Sequence, residues 1–195
     1  MPPRPPLVLA SASPRRADLL RAAGLAPQIA PVDCDETWRP GEHPEAYAAR
    51  VARDKATLGL RPGARILAAD TTVWIADDRP PLGKPRDRAD ARAMLTALID
   101  AGVHQVTTAF ALADTTGAEV RWIAGQATTA VHFRRLRAAA LEAYLDCEEW
   151  RGKAGGYAIQ GRAAGVVRRV EGSYTSVVGL PLAEVLDALD ALDLP

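Results

Sequence analysis

Leu7-Val-Leu-Ala-Ser-Ala-Ser-Pro-Arg-Arg-Ala-Asp-Leu-Leu20 decides the fold, because it reads as strand, turn and helix start in one run. Leu7 to Ala10 is a short apolar run that fits a buried strand. Ser13 suits an N-cap, and Pro14 suits the first helical position, where no amide donor is needed. Leu19, Leu20 and Ala23 give the helix an apolar stripe, and Gly24 is its stop. Unpaired amides at a helix start attract anions. Two hydroxyls, Ser11 and Ser13, and two guanidinium groups, Arg15 and Arg16, gather at that start. Arginine matches phosphate with a planar, permanently charged fork. The turn therefore reads as a polyphosphate holder, set against the plain alternative of a capped surface helix with two solvated arginines. It is not a Walker A loop, since Gly-x-x-x-x-Gly-Lys-Ser/Thr is absent.

Outward from this turn, elements alternate. Gln28 to Val32 is a short strand, followed by the acidic loop Asp33-Cys34-Asp35-Glu36. A helix runs from Pro44 to about Leu60, with Tyr47, Val51, Lys55 and Leu58 on one face. Lys55 thus sits on an inward stripe, where it either snorkels out or serves a site. Arg65 to Ala76 reads as two apolar strand segments broken at Asp70-Thr71-Thr72. A carboxylate at the end of a buried strand must be paired, hydrogen-bonded or metal-bound. A turn aspartate capping its own backbone is the bland alternative. Leu82-Gly83-Lys84-Pro85 is a tight loop presenting a lysine, and Asp87 caps a helix to about Asp100 with Asp90 completing a capping box. Val103–Ala113 and Val120–Phe133 form a long hairpin. Ala138–Trp150 is an amphipathic helix, and a glycine-rich loop runs from Gly152 to Gly161. Val166–Val170 is a strand, Gly172–Pro181 reads as a turn, a short strand and a stop, and a last helix opens at Pro181. The expectation is α/β: a mixed twisted β-sheet with flanking helices, in one domain over residues 7–195 after a proline-rich extension, 1–6.

Composition narrows the function. Of 195 residues, 48% are hydrophobic, enough for a core, and the formal net charge is zero. That balance, with few aromatics, speaks against a nucleic-acid-binding module. No apolar run is long enough to span a bilayer, and no signal peptide is read. Cys34 and Cys147 form no CxxC pair, so reduced thiols and a cytoplasmic setting are expected. His43, His104 and His132 are scattered with no HExxH, so zinc is not indicated.

Read together, Ser11-x-Ser13-Pro14-Arg15-Arg16, Ala69-Asp70-Thr71, Gly83-Lys84-Pro85-Arg86-Asp87, Lys153-Ala154-Gly155-x-Tyr157-x-Ile159-Gln160-Gly161 and Gly172-Ser173-Tyr174 with Val178-Gly179-Leu180-Pro181 resemble the Maf family of nucleoside triphosphate pyrophosphatases. The likeness runs from Leu7 to the last helix. It implies an elongated, two-lobed fold with a central cleft, related to the inosine-triphosphate pyrophosphatases. It further implies hydrolysis of a nucleoside triphosphate to the monophosphate and pyrophosphate, a divalent metal (Mg²⁺ or Mn²⁺), and often a homodimer. By the same resemblance, Asp70 is the proton acceptor. Ser11, Ser13, Arg15, Arg16, Lys55 and Lys84 bind phosphate, and Glu36 and Asp70 hold the metal, although Asp35 stands beside Glu36 in the same loop. Arg15, Thr71 and Gln160 set base choice and look like the branch acting on dTTP and UTP rather than 7-methyl-GTP. Two wider readings accompany this: a broad pyrophosphatase clearing modified nucleotides, and a non-catalytic nucleotide sensor acting on cell division.

Overall fold

A computed structural model describes residues 5–193. Residues 1–4 of the expected extension, and Leu194 and Pro195, lie outside the described residues. The carbonyl of Pro6 accepts from Arg65 N at 2.9 Å, so the chain joins the sheet at the end of that extension.

Six strands form one mixed sheet in the order β2-β1-β3-β4-β5-β6. They are β1 (Leu7–Leu9), β2 (Gln28–Ile29), β3 (Arg65–Trp74), β4 (Val103–Asp114), β5 (Arg121–Phe133) and β6 (Val167–Glu171). β1 runs parallel to both β2 and β3; all other pairings are antiparallel. The helices are α1 (Pro14–Ala22), α2 (Pro44–Leu58), α3 (Arg88–Ala101), α4 (Ala138–Asp146), α5 (Tyr174–Val178) and α6 (Leu182–Asp193).

Strand alternation assigns the helices to faces. Val8, Ala10, Ile66 and Ala68 point to one side, where they pack against Ala48, Ala52 and Ala56 of α2. Leu9, Leu67 and Ala69 point to the other, against Ala17 and Leu20 of α1 and the apolar stripe of α6. Beyond the far end of β3, a further core joins α3, α4, Trp150, Tyr157 and Phe133. The long β4–β5 hairpin runs through both regions.

Several sequence expectations need correction. Asp70 does not sit at a strand break: β3 is continuous over ten residues, because β4 pairs with its whole length, Asp70 opposite Ala109. What ends near Asp70 is β1, whose last register partner is Leu67. Asp70 therefore lies just past the carboxyl end of the parallel pair, where open α/β sheets hold ligands. Gly172–Pro181 contains α5 and no strand. Ser173 Oγ caps it by accepting from Ser176 N at 3.2 Å, and this cap outweighs the β preference of Thr175, Val177 and Val178. Ser13 occupies the N-cap position of α1 but makes no side-chain cap bond. Asp90 accepts from Arg86 N at 3.1 Å instead of closing a box on Asp87, whose own Oδ1 caps Asp90 N at 2.8 Å. α4 stops at Asp146, short of Trp150, and Leu58 is 58% exposed, off the buried face of α2.

Candidate active site

The alternation that places the helices also builds the site. Asp70 follows Ala68 on the α2 face, so it meets Lys55, which lies one turn beyond Val51 and Ala52 on the buried side of α2. Thr71 points to the opposite face and meets Arg16 of α1. One strand thus delivers a carboxylate and a hydroxyl to two helices across the carboxyl end of β1.

Lys55 does not snorkel. It is 8% exposed, and its Nζ lies 2.8 Å from Asp70 Oδ1 and 2.7 Å from Glu36 Oε1. Glu36 reaches the site from the acidic loop and also lies 3.8 Å from Lys84 Nζ, on the Gly83 loop. Lys55 and Lys84 thereby flank one carboxylate from two distant elements. Asp35 is turned away: its Oδ1 accepts from Thr37 N at 2.8 Å within its own exposed loop. Asp70 is displaced upward from the ordinary carboxyl range by burial, against the pull of Lys55 and Arg16. Burial alone drives the Lys55 ammonium down, but Asp70 and Glu36 together outweigh it and hold Lys55 above its usual value. Glu36 is desolvated too, yet Lys55 and Lys84 leave its carboxyl below the normal range.

Arg16 is buried and held through three of its five N–H donors. Its Nη1 donates to Ser11 Oγ (2.9 Å), its Nη2 to Thr71 Oγ1 (3.2 Å) and its Nε to Gly179 O (2.8 Å). Arg15 Nε donates to Val178 O at 3.3 Å. These carbonyls end α5, where helical partners run out. Proton counting then orders the hydroxyls. Thr108 Oγ1 gives its proton to Ser176 O at 2.7 Å, so Thr71 must donate across the 2.9 Å contact to Thr108 while accepting from Arg16. Ser11 Oγ accepts from both Ser13 N (3.3 Å) and Arg16. Its own proton is left to donate, as a phosphate oxygen requires.

A single open cavity of about 690 Å³ runs through this cluster. It brings together Ser11, Ser13, Arg15, Arg16, Glu36, Lys55, Asp70, Thr71, Lys84 and Gln160, and leaves out Asp35, the alternative to Glu36. Sequence reasoning missed Tyr47, Arg151 and Lys153, which line it too. Lys153 stood inside a quoted motif without a role. Its proximity to Arg15 was the missing signal, and with burial that neighbour lowers the Lys153 ammonium below its usual value.

Among the described residues, no group of three or more His, Cys, Asp or Glu side chains is placed to hold a metal. The donor set nevertheless fits a hard divalent cation bound with its substrate. Glu36 and Asp70 point an oxygen each at the same Lys55 ammonium, and such ions take one or two carboxylates plus phosphate oxygens.

A solved structure of a HAM1 protein from Coxiella burnetii superposes with a TM-score of 0.53 at 17% identity, covering 96% of this chain and all of that one. The architecture is therefore the mixed α/β fold of HAM1-like proteins. The Maf-like protein family matches residues 6–192, and the chain belongs to that family. Relatives described as dTTP/UTP pyrophosphatase include one from Rhodospirillum rubrum, 52% identical over 92% of this chain and 84% of its own length. Another, from Maricaulis maris, is 47% identical over 99% and 91%. A third, from Hyphomonas neptunium, is 43% identical over 98% of both chains.

Proposed function

We propose that this chain hydrolyses dTTP and UTP to the nucleoside monophosphate and pyrophosphate. The observation that carries the reading is the Lys55–Asp70–Glu36 cluster with Lys84, Arg16 and Ser11 around one cavity. A triphosphate carries several negative charges that repel an attacking water. Arg15, Arg16, Lys55 and Lys84 supply fixed positive charge where that negative charge grows. Ser11 adds a hydroxyl donor. Asp70 orients a water and takes its proton as the oxygen attacks the α-phosphorus. The bond from the α-phosphorus to the bridging oxygen breaks, and pyrophosphate departs with the electron pair. A carboxyl lifted by burial is a better proton acceptor than a free one. Glu36 and Asp70 would hold Mg²⁺ or Mn²⁺, which would neutralise charge on the phosphate oxygens. Gln160 offers both an amide donor and an acceptor to a pyrimidine edge.

Support for the base preference comes from the relatives described as dTTP/UTP pyrophosphatase and from Arg15, Thr71 and Gln160 lining the cavity. A panel of nucleotides assayed for pyrophosphate release with Mg²⁺ or Mn²⁺ tests it. Faster turnover of dTTP and UTP than of 7-methyl-GTP is expected, and the reverse order would overturn the base assignment. A homodimer and a cytoplasmic setting, both expected from the sequence, belong to the same proposal. No described helix is long and apolar enough to cross a membrane. Light scattering on the purified chain reads the dimer, and a monomer at micromolar concentration would remove it.

A further inference from the structure

Two buried side chains outside the charged cluster bear on the cavity wall. His104 lies on β4 and is 1% exposed. Its Nε2 is 2.8 Å from Tyr157 Oη, and both rings meet Phe133 edge-on, at 4.7 and 5.0 Å between centroids. Tyr157 belongs to the glycine-rich loop. Tyr157 lines both the large cavity and a small apolar pocket with Leu95, Ile99 and Phe133.

The loop is docked at two ends. Its first half is tied down by backbone: Gly155 N donates to Gly83 O at 3.0 Å, beside Lys84. Gly155 and Gly156 adopt φ of +67° and +74°, and a Cβ at Gly155 would stand 3.0 Å from Val73. Its second half carries Gln160, which is exposed on the cavity rim. Tyr157, three residues earlier, anchors that half through its ring and through His104.

We infer that His104 is a positioning residue for the nucleotide, holding Tyr157 so that the second half of the loop presents Gln160 to the cavity. This rests on the reading of the cavity as a nucleotide site. Burial, with His132 adding to it, pulls the imidazole down to about 3, so the ring is neutral at working pH. Its Nδ1 has no partner among the described residues, so all its polar function runs through Nε2. That asymmetry makes a sharp test. A glutamine amide reaches the Nε2 position and an asparagine amide only the Nδ1 position.

His104→Gln, His104→Asn, His104→Leu and Tyr157→Phe are compared in full-length protein with UTP. Losing one hydrogen bond of ordinary strength corresponds to about a fivefold change. His104→Leu, His104→Asn and Tyr157→Phe are each expected to raise KM about fivefold with kcat within about twofold, since Asp70 and Lys55 stand on other elements. His104→Gln should keep the wild-type KM, and His104→Leu with Tyr157→Phe should cost no more than either alone. Amide exchange across residues 157–161 reads the same latch without nucleotide. It should quicken in His104→Leu and Tyr157→Phe but not in His104→Gln. Unchanged exchange and KM in Tyr157→Phe, which removes only one hydroxyl, would overturn the inference. So would a His104→Gln protein as impaired as His104→Leu. Wild-type protein that releases no pyrophosphate would instead defeat the proposed function, and the exchange measurement would still decide the latch.

Discussion

Lys55→Met removes the ammonium that joins two carboxylates. Asp70, 8% exposed, would lose its 2.8 Å partner, and Glu36 would lose a 2.7 Å one. Breaking a buried pair by deleting one member costs about 3–5 kcal/mol, because the other charge is stranded. Glu36 is 42% exposed and contributes little of this, since water screens it. Asp70 has an escape: it can take up a proton. Its carboxyl already lies above the usual 3.8 through burial, and without Lys55 it rises further. A carboxyl with a raised folded value is best tolerated below its unfolded value. Its penalty grows as pH rises through the folded value. The loss in Lys55→Met should thus be about 3 kcal/mol at pH 8 and clearly smaller at pH 5, measured by urea unfolding with a chelator present. Adding Asp70→Asn should recover most of the stability at pH 8, because a neutral amide needs no ammonium. A loss under about 1 kcal/mol that is the same at both pH values would refute the buried pair.

Further outcomes follow from the same geometry. The acid limb of kcat/KM should lie above the ordinary carboxyl value, because activity needs Asp70 ionised and burial has raised it; a limb near 3.8 would detach Asp70 from the proton step. Glu36→Gln should raise the Mg²⁺ or Mn²⁺ concentration needed for half-maximal rate while leaving the urea midpoint near wild type, as read by metal titration. Gly155→Ala should destabilise by about 1–3 kcal/mol, from a left-handed backbone and a methyl set against Val73, as read by urea unfolding.

The fold was legible wherever a period or a cap was strong. β1, α1 and the β4–β5 hairpin were readable from their apolar patterns, and α2 and α3 from their boundaries. The site residues were legible by type and motif, but not by contact. That Lys55 would face Asp70 needed the α2 face and the strand alternation together, which only the register of β3 against β1 and β4 supplies. Asp70 looked like a strand break because Asp-Thr-Thr interrupts an apolar run. The cost of its charge is met by Lys55, a partner fifteen positions away on another element. α5 was misread because a β-branched run normally favours strand, whereas Ser173 and the contacts of Arg15 and Arg16 with its last carbonyls decided otherwise. Tyr157 gave no sign of its latch, since His104 is 53 positions distant, on β4.

Asp70→Asn, assayed for pyrophosphate release from dTTP and UTP, bears most directly on whether this cluster breaks the α–β bond. The substitution keeps the side-chain shape and removes the carboxylate charge that takes the proton, pairs with Lys55 and would help hold the metal. Turnover should fall by about 10²–10⁴-fold while the protein remains folded. A folded Asp70→Asn protein that releases pyrophosphate at the wild-type rate would contradict the account.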